Sequence, residues 1–317
     1  MYSIYYSDES CLTKETTFRE GSWIDMFDPT EEEIGLVSKE LDIPMDFLTA
    51  ALDEEERARV EAEDGKTLVI LDVAIVEPDN SGNFIYSTVP LAIIACPQHM
   101  VTVCLKKNRV IQDFVSNRIK TFSTYKKTRF LLQIMYRNAT NYLQCLRQIE
   151  KISDSLEKDL LRSTKNKELV MFLSLEKSLV YFSTSLKSNE TVLERILKYS
   201  YPNIHVRKYE DDEDLLEDAI IENKQAIEMT SIYSSNLSII MDTSASIISN
   251  NLNIVMKLLA AVTIIMAIPN MISGFFGMNF VDLPLATVQG AFYIIGAITL
   301  VICGIVAFIL YKKGMFK

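Results

Sequence analysis

The spacing of apolar residues changes character along the chain. Up to about residue 122 it is mixed, with β-branched runs at 67–76, 83–96 and 100–105 separated by turn signals at 78–82 and at Cys96-Pro97. Helical patterns intervene at 30–41, opened by Asp28-Pro29-Thr30, and at 44–52. These elements predict an α/β domain over 1–122. From about residue 125 the pattern is purely helical. Leu132, Met135, Ala139, Tyr142, Leu146, Ile149, Leu156 and Leu160 step by threes, fours and sevens, and Leu169, Phe172, Leu175, Leu179, Phe182, Leu186 and Leu193 continue similarly. That predicts two long antiparallel helices with coiled-coil-like packing over 123–208, broken near 163–166.

After a break at Tyr201-Pro202-Asn203 and an acidic run at 210–214, no Pro or Gly occurs before Pro269. One helix from about 212 to 277 would extend roughly 100 Å at 1.5 Å per residue. The acidic run suits the start of such a helix, where carboxylates meet the positive end of the dipole. The last part of this helix, 258–276, is one of two apolar runs, and 292–310 is the other. Each matches the roughly 20 residues needed to cross a bilayer. The expected organisation is therefore a cytoplasmic helix segment over 209–252, a first span over 253–280, an outer loop over 281–291, and a second span with a basic tail over 292–317.

Charge sharpens this picture. The mean hydropathy is +0.13 although 23% of the residues are charged, because the charges avoid the end of the chain. Residues 253–317 hold four Lys and one Asp, leaving 28 basic against 41 acidic residues before them. Lys257 precedes the first run and Lys312, Lys313 and Lys317 follow the second, so both termini are expected on the cytoplasmic side of the cell (inner) membrane. No secretory signal is expected at the start. The acidic excess disfavours nucleic acid as a partner. Five cysteines without a Cys-x-x-Cys spacing encode neither a disulfide framework nor a zinc site, and His99 and His205 read as structural. Gly65-Lys66-Thr67 resembles the tail of a phosphate-binding loop, but Val60 stands where its first glycine belongs, so a hairpin turn is expected instead. No conventional catalytic motif is present, which points away from an enzyme and from any organic cofactor.

Polar residues within a span usually face water, protein or a passing ion. Asp242, Ser246, Ser249, Asn253, Met256, Thr263, Asn270 and Gly274 fall near one face of the long helix. Two readings fit: helix–helix packing through small polar residues, or an ion path, which needs several copies around an axis. The second run is uniformly apolar apart from Thr299, with Gly296 and Gly304, and reads as the outer, lipid-facing helix.

At the end of the first run stands Phe276-Gly277-Met278-Asn279-Phe280. It resembles the Gly-Met-Asn signature of the CorA metal-ion (magnesium) transporter family. Ile268-Pro269-Asn270, Gly274 and Lys312-Lys313 stand in the matching context, and the resemblance extends over the whole chain from Trp23-Ile24-Asp25 onward. It implies a homopentamer with a cytoplasmic funnel and a pore built from the first-span helices. Asn279 would form a ring of carbonyls that holds hydrated Mg²⁺ by its water shell, because this ion sheds water reluctantly. Gly277 would permit the turn and Met278 would pack to hold it. Asp242, Asn253, Met256, Asn270 and Gly274 would face the pore, with Leu259 at a hydrophobic constriction. The resemblance also implies regulatory Mg²⁺ between neighbouring cytoplasmic domains, with Asp218 as one ligand. The usual partner position is Ala50 here, leaving Asp46, Asp53 or Glu54 as substitutes.

This chain departs from the family pattern at Phe276, where Tyr is usual, and at Asn270, where Thr is common. Its outer loop keeps only Asp282 as an acid. Three functions follow as expectations. The first is a divalent-cation channel passing Mg²⁺ with Co²⁺ or Ni²⁺, closed by cytoplasmic Mg²⁺. The second is a zinc-transporting relative of the same fold. The third is a membrane-anchored coiled-coil sensor that conducts nothing.

Overall fold

The computed structural model of the protein describes residues 1–7, 12–78, 84–119, 122–162, 166–278, 284 and 288–316. It divides into two units, residues 1–240 and residues 241–317.

In the first unit a seven-stranded sheet has the order β2-β1-β3-β7-β6-β5-β4. The strands are β1 (Tyr2–Ser7), β2 (Leu12–Glu15), β3 (Trp23–Phe27), β4 (Arg59–Glu63), β5 (Lys66–Pro78), β6 (Phe84–Ala95) and β7 (Met100–Cys104). Neighbours are antiparallel except β3 and β7, which run parallel with Trp23 beside Met100 and Asp25 beside Thr102. The central strands are buried on both faces, which is why they read as continuous apolar runs. Val69, Leu71, Val73 and Ile75 of β5 enter one core, and Leu68 and Ile70 enter the other.

The smaller core is closed by α1 (Glu31–Leu41) and α2 (Met45–Thr49), the latter continuing as a 3₁₀ turn through Ala50–Leu52. The α1 start follows the sequence signal: Thr30 and Glu33 form a reciprocal capping box with three acids in the first turn. The larger core is closed by α3 (Arg109–Val115), α4 (Lys127–Arg162), α5 (Asn166–Lys198) and the start of α6 (Glu210–Phe276). The second unit combines the remainder of α6 with α7 (Ala291–Lys312).

The turn before β5 is the expected hairpin, with Asp64 and Gly65 at φ 48° and 71°. Lys66 is buried and binds the Asp42 carboxylate at 3.1 Å, a structural use of this lysine. Asn203, at the break before α6, donates to Gly65 O at 2.7 Å, and Thr67 donates to Pro202 O at 2.6 Å. This loop is thus fastened onto the hairpin.

The helical pair packs on itself and also on the sheet. Apart from the half-buried Leu169, its stepped apolar residues are buried, and Phe130, Leu132, Met135, Val192, Leu193 and Ile196 lie in the same core as the sheet. The two helices cover the sheet because β4 pairs with β5 only as far as Ile70. Beyond that point helix side chains satisfy the strand edge. Asn138 and Asn189 donate to Asp72 O at 2.8 Å each, Tyr142 donates to it at 3.1 Å, and Asp72 N donates to Asn189 Oδ1 at 2.9 Å. Asn141 does the same for Ala74 O at 3.0 Å. The strand edge is thereby blunted at Asp72 and Ala74.

Among the described residues three helices, not two, are long and apolar enough to cross a membrane: residues 168–198 of α5, α6 and α7. Burial separates them. In α5, 39% of the apolar window is buried within the first unit, where the helix packs on β4, β5 and β6, against 6% for α6 and α7.

Candidate functional site

α6 forms as one helix because nothing in its first 59 residues interrupts it, and Glu210, Asp211, Asp212 and Glu213 complement its N-terminal dipole. One of these acids is not solvated. Asp212 is buried and accepts from Arg129 Nη1 at 3.2 Å, which joins the starts of α4 and α6. Its carboxyl is held above the usual range chiefly by burial, which the Arg129 charge opposes.

Within the second unit the helix has two distinct faces. Within the apolar run Ala261, Ile265, Ile268, Pro269 and Ile272 are the buried or half-buried positions, on one face of the helix. α7 answers with Ile295, Thr299, Cys303, Val306 and Leu310, three or four residues apart. Cys303 Sγ points at Ile265 O across 3.9 Å. Asn270 lies nine residues beyond Ala261, about two and a half turns, so it faces the other way. Met256, Leu259, Thr263 and Gly274 share that opposite face and are exposed, Met256 at 57% and Leu259 at 59%. Asn253 and Asp242 are exposed as well but lie to the side of this line. The candidate stripe is therefore not used for packing against α7.

Pro269 sits inside α6 and cannot donate to the carbonyl four residues earlier, which belongs to Ile265. That carbonyl is the one Cys303 approaches. Thus α7 supplies a weak donor where the proline removed one. By sequence Cys303 belongs to neither a disulfide framework nor a zinc site. The available signal was its place on the α7 face, but the pairing with Pro269 needs the packed helices.

The helix ends at Phe276, and Gly277 N donates to Ser273 O at 2.9 Å. A Cβ on Gly277 would stand 3.1 Å from that same oxygen, so the tight closure excludes larger residues unless the turn shifts. Met278 is exposed in the single chain rather than packed against the turn as expected. Asn279 and Asp282 lie outside the described residues.

The proposed regulatory acids are not brought together within one chain. Asp218 is exposed on α6 between Leu216 and Ala219, which enter the larger core. Asp46, Asp53 and Glu54 are exposed on or just after the elements that close the smaller core, on the other side of the sheet. Glu54 also pairs with Lys106 at 3.4 Å. Among the described residues no group of three or more His, Cys, Asp or Glu is placed to hold a metal ion.

Comparison with known proteins gives a consistent relationship. The family profile described as "CorA-like Mg2+ transporter protein" matches residues 19–312. The "Cobalt/magnesium transport protein CorA" of Methanocaldococcus jannaschii is 32% identical over 301 residues, covering 92% of this chain and 90% of that protein. The structure reported as the complete CorA magnesium transporter from the same organism superposes with a TM-score of 0.78 at 29% identity, covering 98% of this chain and 96% of the other. The ZntB cytoplasmic domain from Vibrio parahaemolyticus shares the fold alone, with 13% identity, a TM-score of 0.59, and coverage of 77% and 96%.

Proposed function

Since the chain belongs to the CorA-like Mg2+ transporter family, we propose that it is a divalent-cation channel that passes hydrated Mg²⁺, with Co²⁺ or Ni²⁺ as further cargo, and that it is not an enzyme. The observation that carries this reading is the two-faced helix of the second unit. One face of α6 is occupied by α7, while the face bearing Met256, Leu259, Thr263, Asn270 and Gly274 is uncovered. An asparagine turned to lipid is costly, so that face calls for protein or water. Copies of α6 around an axis, in a homopentamer, supply both.

In this arrangement α6 and α7 are the two spans, and both termini lie on the cytoplasmic side of the inner membrane. A ring of Asn279 side chains holds the incoming ion by its water shell, and Leu259 forms a constriction that gates by dewetting. Asp242, Asn253, Met256, Asn270 and Gly274 line the path below the ring, and Asp282 draws cations to the mouth. Cytoplasmic Mg²⁺ bound between subunits, with Asp218 as one ligand, favours the closed state. Since Asp218 and its candidate partners Asp46, Asp53 and Glu54 lie on opposite sides of the sheet, a second copy is required for any shared ion.

The test is Mg²⁺ uptake by liposomes carrying the purified protein and an enclosed Mg²⁺-sensitive dye. Uptake driven by an inside-negative potential is expected, and Asn279→Ala should reduce it at least about tenfold, the scale of losing one set of well-placed polar contacts. Uptake that is absent, or indifferent to Asn279→Ala, would sink the proposal.

A further inference from the structure

One cleft of the first unit runs against the charge of the chain, which carries 42 acidic and 32 basic residues. Lys14 of β2, Lys106 and Lys107 after β7, Arg109 at the start of α3 and Arg118 beyond it all line a cavity of about 560 Å³. Its acids are Asp25 and Asp113. Asp113 is buried and engaged by Arg118 Nη1 at 3.0 Å and by Arg137 Nε at 2.8 Å. Lys106 is held by Glu54 at 3.4 Å and Glu77 at 3.3 Å. Among the described residues Lys14, Lys107 and Arg109 make no ion pair.

The cleft is also built on the core. Thr102 Oγ1 donates to Asp25 at 2.8 Å and accepts from Trp23 Nε1 at 2.9 Å, so a hydrogen-bonded chain joins the cavity to the buried indole. Burial lifts the Asp25 carboxyl to about 6, so its opposing charge is the more easily neutralised. The Lys107 ammonium stands over the Phe27 ring at 5.4 Å. Three cations with no ion pair among the described residues line one cavity and repel each other, and an entering anion relieves that repulsion. The volume falls within the roughly 300–1,000 Å³ of small-molecule sites. Several cations in one cavity suit a ligand of several charges, and an exposed arginine offers a fork for phosphate oxygens.

We infer that this cleft binds a polyphosphate group of the size carried by nucleoside diphosphates, with Lys107 and Arg109 as its main contacts. The site belongs to the first unit and stands whether or not the chain conducts ions.

Trp23 is the single tryptophan and is linked to the cleft through Thr102 and Asp25. The full-length protein in detergent, free of divalent cations, is titrated separately with ADP and with inorganic pyrophosphate while Trp23 emission is followed. A saturable change is expected with both, weakened at least about tenfold in Lys107→Ala/Arg109→Ala and unchanged in Lys187→Ala on α5. Both replaced residues are exposed, so the fold should persist, and circular dichroism checks it. Equal affinity for the two probes assigns recognition to the phosphates alone. Tighter ADP binding adds contact with the nucleoside. No saturable change up to about 5 mM, weaker than any useful site at that concentration, or equal affinity in the double variant, overturns the inference.

Discussion

Asp72 shows how much a single residue can carry. Its backbone oxygen receives three side-chain donors and its amide donates to one of the same residues, Asn189, four bonds in all to α4 and α5. Its own carboxyl is raised to about 6, chiefly by burial, against the usual 3.8. The folded chain therefore binds a proton more tightly than the unfolded chain between those values. Stability contributed by the protonated form is complete below the unfolded value and is lost as pH rises through about 6. Asp72→Asn keeps a polar side chain for Ser185 while removing the charge. It should stabilise the protein by about 1–3 kcal/mol at pH 7.5 and by little near pH 4. Thermal unfolding of the full chain in detergent, read from Trp23 emission, checks this, and an equal shift at both pH values would assign the effect to packing. Sequence could not have suggested the role. Asp72 is a lone polar residue within an apolar run, and Asn138 and Asn189 lie more than 60 residues from it in the chain.

The elements were legible to different degrees, and length explains much of the difference. α4, α5, α6 and α7 are long enough for their periods to repeat many times, and their bounds fall close to those expected. The strands β5, β6 and β7 were visible as β-branched runs. β1, β2, β3 and β4 are short, and β3 owes its place to parallel pairing with β7, which is distant in sequence. At this scale Pro269 gives a sharp prediction. It frees Ile265 O, and Cys303 of α7 is the neighbour that approaches it. Cys303→Ala should lower thermal stability by about 0.5–1.5 kcal/mol, whereas Cys303→Ser, a better donor, should retain most of it. If Ser and Ala destabilise equally, this contact has no energetic role. Composition is a poorer guide for α5. That helix is apolar enough to span a membrane, yet its apolar face is taken up by the sheet.

For the whole molecule the distribution of charge matters most. The body is strongly acidic and the terminal hairpin nearly uncharged, so assembly of several copies would raise the cation concentration near their shared axis. The same repulsion favours separation of subunits unless bound cations screen it. Mg²⁺ is therefore expected to protect the first unit from limited proteolysis. Asp218→Ala should raise the Mg²⁺ concentration needed by several-fold, the range of typical coupling energies. Equal cleavage with and without Mg²⁺ would remove Asp218 from regulation. Apolar runs interrupted by a polar stripe, and a signature turn after them, were enough to indicate the family and the two-faced α6.

What sequence alone determined was periodic or compositional: long helices, buried strands, the apolar hairpin, the acidic body. Each is a local property, because hydrophobic spacing and charge act over a few residues at a time. Tertiary structure decided which faces are spent. It turned α4 and α5 into a cover for an open strand edge, set Cys303 against the carbonyl freed by Pro269, and gathered five cations around one cavity. These arrangements depend on contacts between residues far apart in the chain, and no local pattern encodes which partner each residue will meet.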